Sequence, residues 1–324
     1  MPSILTTGFL YSQFIFRPAY PKGTLDGQTI LITGANVGLG LEAARHVVRL
    51  GASRVILGVR NVKAGEQAKQ EIENSNSRPG VCEVWEVDLA SYSSVLAFGD
   101  RISKLPRLDS AILNAGLATQ TFELAEGYER TITVNVFGTL LMGLLLLPKL
   151  KATKADYPET HPHLTFVVSE VHRIPDFEEW KEDNILQILS DKNKAQMDIR
   201  YPLSKLLEVL VVLELAGRVR GSEVIVNMVN PGFCHSQLGR EAGFAFGVMK
   251  FILARSTEVG SRTLLAGILT GLESHGSYMS DGLVENTGLS SFVRSSDGAK
   301  ARTKVWNEVT TILEGARPGI LQNI

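Results

Sequence analysis

Tyr201 and Lys205 stand four residues apart in Tyr-Pro-Leu-Ser-Lys, at the start of a predicted helix, so their side chains emerge on one face. A phenol with the reference pKa of about 10 exchanges protons poorly at neutral pH. A nearby ammonium stabilises the phenolate and lowers that pKa, so Lys205 could make Tyr201 a usable acid or base. The same spacing also occurs on exposed helix faces, and the surrounding motifs must decide between the two interpretations.

A glycine-rich turn, residues 33–40, lies between an apolar run and an apolar-periodic stretch. Its TGxxxGxG pattern is typical of a strand–turn–helix that binds a dinucleotide. Gly34 permits a tight turn, Gly38 removes a Cβ that would block a pyrophosphate, and Gly40 lets helix and strand pack closely. Phosphate oxygens could then meet the unpaired N–H groups at the helix N-terminus. The alternative is an ordinary glycine-rich connection.

The end of the second predicted strand bears on the choice between NAD(H) and NADP(H). A protein that selects NAD usually places an acid about 20 residues beyond the glycines, where it binds the ribose 2′-hydroxyl. The segment 55–61 contains no acid, and Arg60 stands there instead. Its guanidinium could bind the 2′-phosphate through charge-assisted bonds, which favours NADP(H). A solvated arginine at a strand end is the alternative.

Strand-like apolar runs alternate with helix-like stretches, which predicts an α/β fold: a Rossmann-type doubly wound seven-stranded parallel sheet with helices on both faces. The predicted strands are residues 29–33, 54–59, 84–87, 111–113, 164–168, 224–229 and 277–279. The predicted helices are residues 39–50, 64–74, 93–104, 127–150, 202–220 and 258–272. Gly51 and Gly221 supply stops after two of these helices.

No linker, low-complexity tract or repeat divides the chain, so we expect an N-terminal arm, residues 1–26, and one domain, residues 27–324. Segments 173–199 and 233–256 break the alternation and follow strand ends, where open sheets bind ligands. We therefore predict substrate loops there, with surface insertions as the alternative. Phe177 and Trp180 could line an apolar pocket or pack the first insert onto the body.

Charge and cysteine content exclude several classes of protein. Lys and Arg total 33 against 34 Asp and Glu, without a long basic block, so we expect a small-molecule substrate and no nucleic acid. Cys82 and Cys234 are too few for a disulfide framework, which favours a reducing, cytoplasmic setting. The longest apolar run, 140–147, is far shorter than the ~20 residues of a membrane span, so we predict a buried helix and no transmembrane segment.

Together these motifs resemble the short-chain dehydrogenase/reductase family over residues 28–284, and most closely its retinol-dehydrogenase-like members and the oxidoreductases of fungal secondary-metabolite clusters. The residues that carry the resemblance occur in the family's order: 33–40, Asp88, Asn114, Ala115, Gly116, Asn135, Ser169, Tyr201, Lys205, Pro231 and Gly232. Together with Arg60, the resemblance implies an NADP(H)-dependent enzyme that reduces a ketone or aldehyde of a medium-sized apolar metabolite, or oxidises the alcohol in reverse.

The resemblance also implies a role for each member of a catalytic tetrad. Tyr201 would transfer the proton, and Ser169 would form a hydrogen bond to the substrate oxygen. Lys205 would tune Tyr201 and bind the nicotinamide ribose, while Asn135 would support a water chain that reaches Lys205. Hydride chemistry would belong to the cofactor.

The expected cofactor site extends from the glycine turn to the loop after the sixth predicted strand. Its residues are Thr33, Gly34, Asn36, Gly38, Leu39, Gly40, Arg60, Asp88, Leu89, Asn114, Ala115, Gly116, Tyr201, Lys205, Pro231, Gly232 and Ser236. Three positions depart from the family pattern: Val168 replaces a frequent serine, Cys234 a common small aliphatic residue and Ser236 a frequent threonine. No metal is expected, since His172 and His235 lack further ligands at a convincing spacing.

Two other functions fit the same fold. The pocket could catalyse a cyclisation, isomerisation or dehydration without redox chemistry. Alternatively the protein could sense a nucleotide and bind a partner through the aromatic N-terminal arm or the tail 297–315, although an intact Tyr201–Lys205 pair counts against this. A homodimer could form through helices 127–150 and 202–220, but apolar content does not distinguish an interface from a core.

Overall fold

The structure is a computed structural model that describes residues 11–13, 15–235 and 253–324. The strands are β1 (Thr29–Thr33), β2 (Arg54–Val59), β3 (Cys82–Glu86), β4 (Ser110–Leu113), β5 (Leu124–Ala125), β6 (Tyr128–Glu129), β7 (His163–Val167), β8 (Ile225–Asn230), β9 (Tyr278–Ser280) and β10 (Leu283–Val284). The helices are α1 (Gly38–Arg49), α2 (Val62–Asn76), α3 (Tyr92–Ser103), α4 (Arg130–Asp156), α5 (Ile185–Leu189), α6 (Arg200–Arg218), α7 (Thr257–Leu269) and α8 (Ser296–Ala316).

The central sheet has the order β10-β9-β8-β7-β4-β1-β2-β3, and β5 with β6 forms a separate hairpin. Every pairing from β9 to β3 is parallel, which confirms the predicted Rossmann-type α/β fold. The seven parallel strands agree with the predicted number, and an eighth strand that the sequence did not predict, β10, pairs antiparallel with β9. Two residues are too few for an alternating pattern to show in the sequence.

Helices cover both faces of the sheet, and the side chains of β1 show why both faces are apolar. Leu31 packs with the helices on one face, whereas Ile30 and Ile32 pack on the other. All three are fully buried, because successive strand residues point to opposite faces. This pattern places the carboxyl ends of all the parallel strands along one edge, where the predicted site residues follow them.

Helix α4 contains the longest apolar run of the sequence and a π-helical segment, Thr133–Gly138, near its start. By length and composition it could cross a membrane, but 83% of its most apolar window is buried inside the protein. It packs against α3 and the sheet, so it is a core helix, as the run 140–147 predicted. Within the described residues no further helix is both long and apolar enough to span a membrane.

The C-terminal helix α8 corrects the interpretation of residues 297–315 as a tail. It packs on α6 and on the first insert, where the Glu308 carboxylate accepts bonds from the N–H groups of Ile185 and Leu186, both at 3.0 Å. The rings of Phe177 and Trp180 lie 6.2 and 6.4 Å from that of Phe292. These contacts favour packing over pocket lining for both aromatics. A role of 173–199 as a substrate loop stays a prediction.

The described part of the N-terminal arm lies on the protein's own body. The guanidinium groups of Arg49 and Arg262 lie 4.4 and 5.2 Å from the centre of the Tyr20 ring, which fixes this aromatic residue beside α1 and α7. Arg262 also donates to the Pro18 carbonyl oxygen at 3.1 Å. These contacts agree with a strap across the surface rather than a free arm.

Candidate active site

The glycine turn between β1 and α1 is closely packed at one end and open at the other. Gly34 and Gly38 have φ angles of +68° and +64°, a region that other side chains rarely adopt. A Cβ on Gly40 would lie 2.5 Å from the Gly34 carbonyl oxygen, so a side chain there would push α1 away from the turn. A Cβ on Gly38 would project into open space, where a bound phosphate could lie.

The turn is joined to the end of β4 by a small hydrogen-bond network. Thr33 Oγ1 accepts from the N–H groups of Asn114 and Ala115, both at 3.0 Å. Asn114 Nδ2 in turn donates to the Thr33 carbonyl oxygen at 2.9 Å. These bonds place Asn114 and Ala115 directly beside the glycine turn.

The first turn of α1 is suited to an anion. Its N-cap residue, Val37, forms no side-chain hydrogen bond, whereas α2, α3, α7 and α8 each begin with a side chain that caps a backbone N–H. The first N–H groups of a helix lack intrahelical partners and carry partial positive charge. Asn36 and Leu39 are half-buried in the same turn. A dinucleotide phosphate therefore fits this end of the helix.

Three residues of the expected cofactor site, Arg60, Asp88 and Leu89, follow β2 and β3, and β2 lies next to β1 in the sheet. Arg60 directly follows β2 and is exposed. Asp88 is half-buried, and its Oδ1 accepts from the Ala90 N–H at 2.9 Å. Leu89 is buried, and a Cβ on Gly138 would lie 2.2 Å from its carbonyl oxygen. The sheet thus brings these residues to the edge that holds the glycine turn, while their contacts with a cofactor stay predictions.

Asn135 lies in the π-helical segment of α4 and is almost completely buried. Its Nδ2 donates to the Leu117 carbonyl oxygen and to Ser204 Oγ, both at 2.8 Å, and its Oδ1 accepts from the Leu117 N–H at 2.7 Å. Asn135 therefore joins the loop after β4 to α6, one residue before Lys205. The water chain implied for Asn135 stays a prediction.

Ser169 follows β7 after one buried residue, Val168, and it caps a short 3-10 turn, Glu170–Arg173. His172 Nδ1 donates to the Ser169 carbonyl oxygen at 2.7 Å, because His172 Nε2 accepts from the Ser290 N–H at 3.1 Å and so carries no proton. Burial lowers the pKa of His172 to about 4, which keeps the ring neutral. This histidine holds the Ser169 backbone, a role that sequence reasoning did not find.

Helix α6 places Tyr201 and Lys205 together at the same edge, next to Ser169. Lys205 is buried, and its Nζ donates to the Val167 carbonyl oxygen at 2.8 Å and to Glu208 Oε2 at 2.7 Å. Burial raises the pKa of Tyr201, the Lys205 charge lowers it, Glu208 raises it, and a hydrogen bond with Ser169 lowers it. Lys205 thus acts in the expected direction, but burial outweighs it and the net direction of the Tyr201 pKa is upward.

Glu208 is the residue of this cluster that the sequence analysis missed. A signal was present, since Glu208 stands seven residues after Tyr201 and three after Lys205, on the same helix face. It is also the lone charged side chain in the apolar run 206–213. Burial lowers the pKa of Lys205, but Glu208 and then Tyr201 raise it, and the net direction is upward. Lys205 is therefore a stable buried cation.

The loop after β8 lies next to Ser169 and beneath the N-terminal arm. Asn230 Oδ1 accepts from the Gly232 N–H at 3.1 Å and from the Glu170 N–H at 3.3 Å. Pro231 is buried, and a Cβ on Gly232 would lie 2.9 Å from the side-chain amide of Gln13 in the arm. Ser236, predicted to contact the cofactor, lies outside the described residues, as does most of the second insert.

The described ranges contain no group of three or more His, Cys, Asp or Glu side chains placed to hold an ion. Both ring nitrogens of His172 are occupied by the backbone bonds to Ser169 and Ser290. His235 is exposed, and its N–H donates to the Arg255 carbonyl oxygen at 2.9 Å.

Comparison with known proteins identifies the family. The model of the short chain dehydrogenase family matches residues 28–156. The short chain dehydrogenase/reductase dmxR8 of Cryptosporiopsis is 45% identical over 98% of this chain and 99% of its own length. The short-chain dehydrogenase anuD of Penicillium roqueforti is 42% identical over 98% of this chain and 86% of its own length. The chain belongs to the short-chain dehydrogenase/reductase family.

Solved structures agree at the level of the fold. A short chain dehydrogenase of Shigella flexneri, solved as a complex with NADP, superposes with a TM-score of 0.60 at 23% identity. The match covers 81% of this chain and 99% of that one. Family membership makes the protein an oxidoreductase that uses a nicotinamide cofactor and a small-molecule substrate. The open space at Gly38 and the uncapped start of α1 fit the phosphates of such a cofactor.

Proposed function

We propose that the protein is an NADPH-dependent carbonyl reductase, which in reverse oxidises an alcohol. The observation that carries this proposal is the pair of Tyr201 and the buried Lys205, which lies beside Ser169 at the sheet edge that also holds the glycine turn. A phenol that can donate a proton thus has a serine hydroxyl as its hydrogen-bond partner and a buried cation near it. This set has a use in proton transfer but none in a protein that only senses a nucleotide.

Each member of the tetrad has a part that follows from its surroundings. Ser169 would hold the substrate oxygen by a hydrogen bond while Tyr201 gives that oxygen its proton. The buried Lys205 cation would stabilise the phenolate that remains. Asn135 would keep the loop after β4 and the start of α6 in register through Leu117 and Ser204. When bound, the nicotinamide cofactor supplies or accepts the hydride.

The preference for NADP(H) is proposed from Arg60. This exposed arginine follows β2, where an acid would serve NAD(H), and its planar guanidinium can form two bonds with a phosphate. The matched test compares KM for NADPH and for NADH in the wild type and in Arg60→Gln. We expect KM for NADPH to rise at least tenfold while KM for NADH changes little, and equal effects on both would contradict the assignment.

The same proposal includes the class of substrate, the cellular location and the domain organisation of the protein. The curated relatives reported above are fungal, which supports a reductase of fungal secondary metabolism that acts on a medium-sized apolar metabolite. A chain with two free cysteines, both buried, is compatible with a cytoplasmic location. We further propose that residues 27–324 act as one domain that follows an N-terminal arm, residues 1–26.

The decisive experiment uses NADPH with deuterium at the transferable C4 position and a panel of apolar ketones and aldehydes. Products are followed by mass spectrometry, and the same panel is run with Tyr201→Phe. We expect one deuterium in the alcohol product of the wild type and almost no product from the variant. A substrate converted without label would favour a non-redox cyclase, isomerase or dehydratase. Labelled product from both proteins would remove Tyr201 from its role.

A further inference from the structure

Glu208 completes a polar stripe on the buried face of α6. Tyr201, Ser204, Lys205 and Glu208 stand at positions i, i+3, i+4 and i+7, so one face carries all four. Glu208 is 2% exposed, and its Oε2 accepts from Lys205 Nζ at 2.7 Å. A carboxylate at such a place costs free energy unless it is paired, and here its partner is the cation of the proposed acid–base pair.

The elements that pack around this ion pair contribute uncharged polar groups to the cluster. From β7 comes the Val167 carbonyl oxygen, from the segment after it the Ser169 hydroxyl, and from α4 the Asn135 amide, all of them uncharged. The charged groups that act on Tyr201 are Lys205 and Glu208. Glu170, also near Ser169, acts instead on Tyr278 and Cys234. Within the described residues Tyr201 therefore responds mainly to two opposite charges.

Two consequences follow from the distances. An ammonium has three N–H donors, and the bonds to Val167 and Glu208 direct two of them, so the direction of the third is fixed. The negative charge of Glu208 also offsets part of the stabilisation that Lys205 gives to a phenolate. Glu208 thus acts on Tyr201 through Lys205 and through its own field.

We propose that Glu208 is a positioning residue that orients Lys205 Nζ and sets the pH at which Tyr201 exchanges its proton. The inference rests on the proposed function for its role in turnover. Its electrostatic part needs no substrate, because it concerns the proton equilibrium of Tyr201 in the protein itself. The two can therefore fail separately.

The test titrates Tyr201 by the ultraviolet absorbance of its phenolate. The spectrum of Tyr201→Phe is subtracted at each pH to remove the other tyrosines. The titration is repeated in Glu208→Gln, with the double variant Tyr201→Phe/Glu208→Gln as its background. We expect the midpoint to fall by about one pH unit in Glu208→Gln, because removal of a nearby negative charge favours the phenolate. The matched control is Glu214→Gln on the same helix, in which the midpoint should stay unchanged.

Turnover gives a second readout that a purely structural residue would not move. In reduction Tyr201 must carry its proton, so the alkaline limb of kcat/KM should move to lower pH by the same amount in Glu208→Gln. An unchanged midpoint and an unchanged limb in a folded variant would overturn the proposal. If Glu208→Gln fails to fold, Glu208→Asp replaces it, with a smaller shift in the same direction expected and no shift again overturning it.

Such results also separate this inference from the proposed function. A shifted phenolate midpoint, together with a substrate that is converted without deuterium in the product, would keep Glu208 as the residue that sets the pH of proton exchange at Tyr201 and discard the reductase. Labelled alcohol with an unshifted midpoint would keep the reductase and discard the role of Glu208.

Discussion

Helix α6 carries two ion pairs of nearly the same spacing in very different surroundings. In its first half, Lys205 and Glu208 are three residues apart, and their side chains are 6% and 3% exposed. In its second half, Glu214 and Arg218 are four residues apart, and their side chains are 13% and 44% exposed. Glu214 also accepts from Arg302 Nε of α8 at 3.1 Å. The first pair faces the sheet edge and the second faces a helix and solvent.

The difference shows that burial, rather than spacing, decides what a charged pair can do. An exposed pair gains little because water and salt screen it, and it contributes about 0–1 kcal/mol. A buried pair interacts strongly with every group near it, at a large desolvation cost. Only the first half of α6 can therefore change the proton affinity of a neighbour such as Tyr201. The following predictions test this contrast between the buried and the exposed half.

The largest expected effect is on catalysis. Tyr201→Phe removes the proposed proton donor and should lower kcat by about 10²–10⁴-fold, while Glu214→Gln should leave kcat close to the wild-type value. Both are measured by the oxidation of NADPH with a substrate found in the deuterium experiment. Similar losses in the two variants would contradict the division of α6 into a catalytic and a structural half.

The second effect is on the free energy of unfolding. Lys205→Met leaves the Glu208 carboxylate buried without its partner and should cost about 3–5 kcal/mol. Arg218→Met removes a cation of the exposed half and should cost about 0–1 kcal/mol. Urea denaturation of both variants provides the comparison, and equal costs would show that the burial of the first pair has little energetic importance.

A third prediction concerns the pH dependence of stability at the buried edge. Burial raises the pKa of Glu170 to about 7, with Asp281 adding to the rise and Arg173 and Arg255 opposing it. The neutral Glu170 side chain therefore contributes fully to the stability of the fold below the unfolded pKa of about 4.3. This contribution is lost as the pH rises through the folded pKa of about 7. Glu170→Gln should remove this loss, so relative to the wild type it gains on the order of 1–3 kcal/mol between pH 4 and pH 8.

Glu258 supplies a control of opposite sign for that measurement. Its hydrogen bond to Arg262 holds the pKa of this carboxyl below its usual range. Its contribution is therefore present above the unfolded pKa and lost as pH falls through the folded pKa. Urea unfolding of Glu258→Gln should show the deficit relative to wild type shrinking at acid pH. The same trend in both variants would refute the assignment for Glu170.

The smallest effects come from alanine at one position in each half. Ser204 is fully buried, and its Oγ accepts from Asn135 and donates to the Tyr201 carbonyl oxygen, so Ser204→Ala should cost about 1–2 kcal/mol. Gly217 is exposed near the end of α6, and a Cβ there would meet nothing within 4 Å. Gly217→Ala should therefore stabilise the protein by up to about 1 kcal/mol in thermal or urea unfolding.

Much of this architecture could be predicted from the chain alone because it depends on short patterns. The bounds predicted for β1 and β2, residues 29–33 and 54–59, agree with the structure at both ends. These strands are continuous apolar runs with clear turn residues on either side. The two-residue strand β10 and helix α8 escaped prediction, the first through its length and the second because residues 297–315 were interpreted as a tail.

The sequence by itself determined the order of the seven parallel strands and of the main helices that connect them, the positions of the three glycines, and the spacing of Tyr201 and Lys205. Each of these is set within a few residues by sterics and helical or strand periodicity. Only the tertiary structure decided that Glu208 is buried against Lys205, that His172 binds the Ser169 and Ser290 backbones, and that α8 supports the first insert. Burial and such contacts join segments far apart in the chain, so no local pattern records them.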